Sequence, residues 1–295
     1  MATAISRFVV GWDSSPAATA ALDWALDTAR PTGAVVQLVH AVLAVPPVPY
    51  GEMPLDQGVY DDIANAILAL GAQRANEHAP EVPITTERMY RGVSGALLDC
   101  ARPGDVIVIG SRSHGGFAGL LVGSTAVQVA THSPVPVVVL HAPGTREGSY
   151  NPDGPILVGV DGTEASTGAL EFAMVLAAQT ARTVDAVHAW TLPPVELVPP
   201  NLLTAEQVTA IAADQERVAA EGVAGVRSEF PEVSLRVRSV QGVAADVLLR
   251  QARDSSMLVV GSRGRGEFRG TILGSTSNTV LHHAACPVAV VRHRG

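Results

Sequence analysis

Short apolar runs alternate with longer amphipathic stretches along the chain. The runs at 8–12 and 106–109 suit strands that are buried on both faces of a sheet. Ser15 followed by Pro16 is a typical helix start, and the apolar residues after it recur at a mostly helical spacing. The same criteria predict the other elements of this half, namely strands at 35–41, 84–90 and 136–141 and helices at 16–29, 60–77, 95–101 and 125–131. Strands separated by helices indicate parallel βαβ units with right-handed crossovers.

The second half of the chain repeats the first. The offset is 148 residues between Asp13 and Asp161, and 151 residues between Gly110 and Gly261, so a few residues are inserted in the middle of the second copy. The sequence therefore predicts an α/β fold with two tandem doubly wound domains, each built on a parallel five-stranded sheet. We place the domains at 1–143 and 154–295, with 144–153 as a linker in which Gly, Ser, Asn, Pro and Asp make up six of the ten residues.

Composition and charge exclude several classes of protein. Hydrophobic residues make up 47% of the 295 residues and charged residues 16%, which excludes a largely disordered chain. The formal net charge of −8 argues against a general nucleic-acid binder, which needs a broad basic surface. All 20 basic residues are arginines. The absence of lysine excludes Schiff-base chemistry and the Walker A phosphate loop.

The cysteines and the hydropathy pattern indicate the compartment. Cys100 and Cys286 are too few for a disulfide framework or a thiolate metal site, and we expect buried thiols in a reducing environment. The apolar runs are all shorter than the roughly 18 residues of a transmembrane helix. The first residues also lack the basic start and long apolar run of a secretion signal. We therefore expect a cytoplasmic protein with no membrane contact.

Candidate ligand contacts lie where predicted strands end, which is where open parallel sheets bind ligands. A glycine-rich loop follows the fourth predicted strand of each copy, and a helix is predicted directly after it, from Thr125 in the first copy and from Ser275 or Thr276 in the second. Glycines let backbone N–H groups approach a ligand closely, and a helix N-terminus attracts anions. Arg263, Arg265 and Arg269 make the second loop locally basic. An anionic ligand, most simply a di- or triphosphate, fits this pattern.

This arrangement resembles the universal stress protein family over nearly the whole chain, as two tandem copies. The ATP-binding subgroup of that family carries Gly-x2-Gly-x9-Gly-Ser/Thr, and the second copy matches it with Gly261, Gly264, Gly274 and Ser275. The first copy departs from the motif at one position, where Ser113 replaces the second glycine. The tandem layout and the arginine-rich, lysine-free composition are similar to actinobacterial members.

The resemblance implies Rossmann-like domains of the adenine nucleotide alpha hydrolase type that bind ATP, with or without Mg²⁺, at one site per domain. It implies acidic contacts from Asp13 and Asp161, and adenine-facing backbone at Ala41 and Ala189. The predicted first site comprises Gly11, Asp13, Ala41, Gly110, Ser111, Arg112, Ser113, His114, Gly115, Gly116, Gly123, Ser124 and Thr125. The predicted second site comprises Gly159, Asp161, Ala189, Gly261, Ser262, Arg263, Gly264, Arg265, Gly266, Gly274, Ser275 and Thr276.

The resemblance also implies that the two domains form an intramolecular pseudo-dimer, in which the last strands at 135–140 and 288–291 pack together. Two full chains could associate further as a homodimer. We expect the second site to be the stronger, because Gly264 can adopt a positive φ against a phosphate while Ser113 carries a Cβ that resists it.

No catalytic set and no metal site stand out in the sequence. A G-x-S-x-G elbow, an H-E-x-x-H pair and a Cys–His pair at a recognisable spacing are all absent. His40 and His188 are expected to be packed or hydrogen-bonded, and the three tryptophans, Trp12, Trp24 and Trp190, to belong to the core. The favoured function is a stress-response regulator or sensor that binds ATP with little or no turnover. The alternatives are a slow Mg²⁺-dependent ATPase and an assembly module that binds no nucleotide.

Overall fold

The computed structural model of the chain describes residues 3–42, 57–111, 122–141, 150–192, 204–264 and 273–292. The chain forms two compact units, Thr3–Arg146 and Glu147–Gly295. The first contains β1 (Arg7–Gly11), α1 (Pro16–Thr32), β2 (Val35–Ala41), α2 (Gln57–His78), β3 (Ile84–Met89), α3 (Val93–Cys100), β4 (Asp105–Gly110), α4 (Ser124–His132) and β5 (Val137–Leu140). The predicted elements of this half are confirmed, with boundaries that differ by at most three residues.

The second unit repeats this order of strands and helices. It contains β6 (Ile156–Gly159), α5 (Glu164–Thr180), β7 (Val184–Trp190), α6 (Ala205–Glu229), β8 (Leu235–Gln241), α7 (Ala244–Gln251), a short 3₁₀ turn (Ala252–Asp254), β9 (Met257–Gly261), α8 (Ser275–His283) and β10 (Val288–Val291). Helix α6 is three residues longer than α2, so the insertion in the second copy falls within this helix or in the segments beside it.

The strands within each unit pair in parallel. The order is β3-β2-β1-β4-β5 in the first unit and β10-β9-β6-β7-β8 in the second. The winding direction reverses between β1 and β4, and again between β6 and β9. Each unit is therefore a doubly wound α/β domain, as predicted, and each reversal opens a crevice at the carboxyl ends of the strands.

The central strands are buried because helices cover both faces. Phe8, Ile107, Leu157 and Leu258 are fully buried. Burying a side chain of this size stabilises a fold by about 1.5–3 kcal/mol. The apolar composition of these strands thus follows from their position in the middle of the layers.

Side-chain caps define the starts of the longer helices. The Ser15 hydroxyl accepts from the Ala18 N–H at 3.1 Å, which confirms the helix start predicted from Ser15 and Pro16. Thr163 caps α5 in the same way, and Thr204 forms a reciprocal capping box with Gln207 at the start of α6. These contacts satisfy N–H groups that have no partner inside the helix.

Both cysteines are free and buried, as the sequence predicted. Burial raises the pKa of the Cys286 thiol to about 12, and burial together with the nearby Glu87 carboxylate raises that of Cys100 to about 11. Thiols with such pKa values are protonated and unreactive at neutral pH. Over the described ranges, no helix is long and apolar enough to cross a membrane.

Candidate functional site

A cavity of about 600 Å³ opens in the second domain at the carboxyl ends of β6, β7 and β9. This is the crevice that the reversal of winding creates. Nine residues of the predicted second site line the cavity: Gly159, Asp161, Ala189, Gly261, Arg263, Gly264, Gly274, Ser275 and Thr276. Ser262 lines a smaller neighbouring cavity, and Arg265 and Gly266 lie outside the described residues.

Asp161 is held in place by the turn that leads into α5. Its Oδ1 accepts from the Thr163 N–H at 3.0 Å and from the Thr163 hydroxyl at 2.6 Å. Gly162 between them has φ of 77°, a left-handed conformation that suits glycine. Oδ1 of the carboxylate thus stabilises the turn, while Oδ2 lies toward the glycine loop that follows β9.

The glycine loop approaches Asp161 so closely that a side chain at position 264 would displace the carboxylate. A Cβ added to Gly264 would lie 2.7 Å from Asp161 Oδ2. Gly264 is not among the residues with positive φ, so the expectation that it adopts a positive φ is wrong. The physical reason for glycine is the close approach to the carboxylate, rather than a left-handed backbone.

Two other glycines of the motif serve packing. A Cβ on Gly261 would lie 2.9 Å from the Ala165 backbone carbon in α5, and one on Gly110 would lie 2.5 Å from the backbone carbon of Ala17 in α1. The missing side chains allow these helices to cross directly over the ends of β9 and β4. The helix N-termini are thereby brought close to the crevice.

Backbone and hydroxyl contacts fix the start of α8 at the cavity. The Gly274 N–H donates to the Ser262 carbonyl at 2.8 Å, and the Ser277 hydroxyl donates to the Gly261 carbonyl at 2.6 Å. The N-cap residue Gly274 has no side chain to cap the helix, whose first turn includes Ser275 and Thr276. Its first N–H groups therefore lie at the cavity without intrahelical partners, in the arrangement that binds anions.

The opposite end of the cavity, beside β7, contains residues that the sequence did not single out as contacts. His188 is only 4% exposed, and its Nδ1 donates to the Val160 carbonyl at 3.0 Å. Its Nε2 lies 2.9 Å from the Gln215 amide of α6. A hydrogen-bonded His188 agrees with the expectation. Trp190 lines the cavity, so its assignment to the core is wrong. Trp190 ends β7 at the rim of the crevice, whereas Trp12 is buried against α2.

A smaller cavity of about 370 Å³ adjoins the first one. It shares Arg263 and Gly264 with the larger cavity and extends past Ser262 to Arg292 and the first residues of α5. Arg263 and Arg292 line it together with Glu164, so two positive charges and one negative charge lie on this side of the glycine loop. The charge favours an anionic group there.

The first domain repeats this framework in the part that the structure describes. Asp13 Oδ1 accepts from the Ser15 N–H at 3.0 Å, and the Gly123 N–H donates to the Ser111 carbonyl, as Gly274 does to Ser262. Gly11 and Ala41 end β1 and β2, Gly110 ends β4, and Ser124 and Thr125 begin α4. The remaining predicted contacts lie outside the described residues: Arg112, Ser113, His114, Gly115 and Gly116.

Residues 4–141 and 154–292 both match the model of the universal stress protein family. The chain belongs to this family. Within it, a universal stress protein of Mycolicibacterium smegmatis is 31% identical over 293 residues, which is 97% of each chain. Another from Mycobacterium tuberculosis H37Rv is 32% identical over 300 residues, covering 96% of this chain and 95% of that protein.

A solved member of the family supports the fold. The crystal structure of a universal stress protein from Archaeoglobus fulgidus superposes with a TM-score of 0.67 and covers 98% of both chains at 18% identity. The similarity to mycobacterial tandem proteins agrees with the actinobacterial type that the composition indicated. Membership of the family and the tandem α/β architecture are thus established together.

Proposed function

We propose that this protein is a nucleotide-binding regulator or sensor of the stress response, which binds ATP at one site in each domain. One observation supports the proposal above all. Asp161, the glycine loop after β9 and the start of α8 line a single cavity, although they come from three separate parts of the sequence. The second domain therefore brings a carboxylate, a basic loop and a helix N-terminus to one place.

The residues of the cavity have distinct tasks in this proposal. The first-turn N–H groups of α8 and the Arg263 side chain bind the phosphates, since both carry positive charge toward the cavity. Gly264 lets the backbone of the loop pass close to Asp161, so that the loop and the carboxylate border the same cavity. Asp161, Ser275 and Thr276 offer hard oxygen donors of the kind that Mg²⁺ prefers.

Thermal unfolding with and without nucleotide tests the proposal. A ligand at about 100 times its dissociation constant stabilises the folded state by roughly 2.7 kcal/mol. We expect ATP with Mg²⁺ to raise the melting temperature clearly, and adenosine to raise it much less, because adenosine lacks the phosphates that the glycine loop and α8 would bind.

Each other outcome of this experiment favours a different function. An equal shift with adenosine would remove the argument for a phosphate loop. No shift with either ligand would favour an assembly module that binds no nucleotide. Release of inorganic phosphate during the incubation, abolished by Asp161→Asn at retained ATP binding, would favour the slow ATPase.

A further inference from the structure

The β7 end of the second cavity contains a polar pair, His188 and Gln215. His188 lies on β7 and Gln215 on α6, and both side chains line the cavity. The imidazole Nδ1 lies 3.0 Å from the Val160 carbonyl oxygen, and Nε2 lies 2.9 Å from the Gln215 amide at its Oε1 position. The pair is therefore tied to the strand that precedes Asp161.

The hydrogen bonds determine which end of the amide faces the ligand. A carbonyl oxygen only accepts, so Nδ1 of His188 carries the hydrogen, and in the neutral imidazole Nε2 is then an acceptor. Gln215 must turn its NH₂ group toward Nε2, because an amide oxygen cannot donate. The carbonyl oxygen of Gln215 is thereby left to act as an acceptor for a ligand in the cavity.

The apolar part of the cavity lining suits a flat heterocycle. Val187, Leu248 and Val260 supply apolar walls to the same cavity. The strand order β9-β6-β7 places the basic glycine loop on one side of β6 and the polar pair on the other. A nucleotide whose phosphates lie at α8 would consequently direct its base toward β7, where Gln215 lies.

We propose that Gln215 selects the base of the bound nucleotide by accepting a hydrogen bond from an exocyclic amine, as adenine carries at C6. A 6-oxo purine would place its own carbonyl oxygen against the carbonyl oxygen of Gln215. Neither acceptor would then have a hydrogen-bond donor. This inference rests on the proposed nucleotide-binding function and assigns its base specificity to one side chain.

The described part of the first domain has no equivalent of the His188–Gln215 pair. The counterpart of Gln215 is Ile67 or Ala64, depending on where the inserted residues fall, and both are apolar. His40 keeps the backbone contact, with Nδ1 at 2.8 Å from the Trp12 carbonyl. Neither apolar side chain can hydrogen-bond to Nε2 or to a base. Among the residues that the structure describes, the amine acceptor is thus present at the second site and has no counterpart at the first.

Calorimetric titration of the full chain with ATP and ITP at pH 8 tests the proposal. ITP carries a carbonyl oxygen where ATP carries the 6-amino group. We expect the second site to prefer ATP about tenfold, which corresponds to one hydrogen bond gained and one unpaired acceptor avoided. In Gln215→Ile the preference should fall below about threefold. In Gln215→Glu it should persist, because one carboxylate oxygen can accept from His188 Nε2, with the imidazole then carrying both hydrogens, while the other oxygen still accepts from the amine.

The comparison of the two variants separates base selection from a structural role. Loss of packing alone would affect Gln215→Ile and Gln215→Glu alike, and their melting temperatures report whether each folds. Gln73→Ile, an exposed glutamine on α2, is the matched control and should leave the ratio unchanged. An unchanged ATP/ITP ratio in Gln215→Ile with ATP still bound would overturn this inference alone. No ATP binding by the wild type would overturn the proposed function and the inference with it.

Discussion

Ser14 and Gly162 occupy the same position in the two copies, directly after the aspartate that follows the first strand. Both have left-handed backbone conformations, with φ of 60° at Ser14 and 77° at Gly162. The turn requires this conformation because the aspartate Oδ1 accepts from the N–H of the residue beyond it, Ser15 or Thr163. The first copy therefore holds a strained serine where the second uses glycine.

We expect Gly162→Ser to lower the free energy of unfolding by about 1 kcal/mol, because a Cβ in the left-handed region crowds the following carbonyl. Urea denaturation measures the change. Gly225→Ser is the matched control, since Gly225 lies in α6 with nothing within 4 Å of a built Cβ. Serine has the better helix propensity, so the control should stabilise slightly. If Gly225→Ser lowered the free energy of unfolding as much as Gly162→Ser, the left-handed backbone at Gly162 would not be the cause of the loss.

At the scale of elements, α6 positions Gln215 at the cavity while its first half has few packing contacts. The helix runs over Ala205–Glu229, and its buried residues are Ala219, Val223 and Val226, all in the second half. The capping box at Thr204 fixes the other end: Thr204 Oγ1 accepts from the Gln207 N–H at 3.2 Å, and Gln207 Oε1 accepts from the Thr204 N–H at 2.8 Å.

Thr204→Ala should destabilise the protein by about 1 kcal/mol, since it removes the acceptor for one N–H group of the first turn. Circular dichroism during urea unfolding would measure the loss. Thr209→Ala serves as the comparison, because Thr209 is exposed on the same helix and donates to the Ala205 carbonyl without capping it. That substitution should be neutral or slightly stabilising. If both variants lost equal stability, the cap would not define the start of α6.

At the scale of the whole molecule, the two repeats are alike in fold and unequal in the details of their sites. The second has Gly264 beside Asp161, and the repeat places Ser113 at the corresponding position of the first. Arg263, Arg265 and Arg269 in the second loop compare with Arg112 and His114 in the first. Both differences favour anion binding in the second domain.

Titration calorimetry with ATP should resolve a stronger and a weaker site. We expect Gly264→Ala to weaken the stronger site about tenfold, because the new Cβ would displace Asp161, and about 1.4 kcal/mol corresponds to that factor. Ser113→Gly should strengthen the weaker site several-fold. Gly225→Ala, away from both sites, should change neither affinity. Two identical sites that Gly264→Ala leaves untouched would refute the inequality.

The sequence by itself determined the architecture, because its signals are local and occur twice. The apolar runs at β4 and β9, the Ser15 cap and the repeated glycine loop each lie within a few consecutive residues. Their spacing was enough to predict two doubly wound domains and a crevice at the strand ends. The candidate phosphate contacts were predictable for the same reason, since the motif from Gly261 to Ser275 is continuous.

Only the tertiary structure decided which distant residues complete the cavity. Gln215 and His188 are 27 residues apart in the sequence, on a helix and a strand, and no periodicity links them. Trp190 resembles a core residue until its place at the end of β7 is known. The sequence also could not show why residue 264 is a glycine. The reason is its close approach in space to Asp161, which is more than a hundred residues away in the chain. Local patterns encode elements, whereas contacts between elements depend on how their faces pack together.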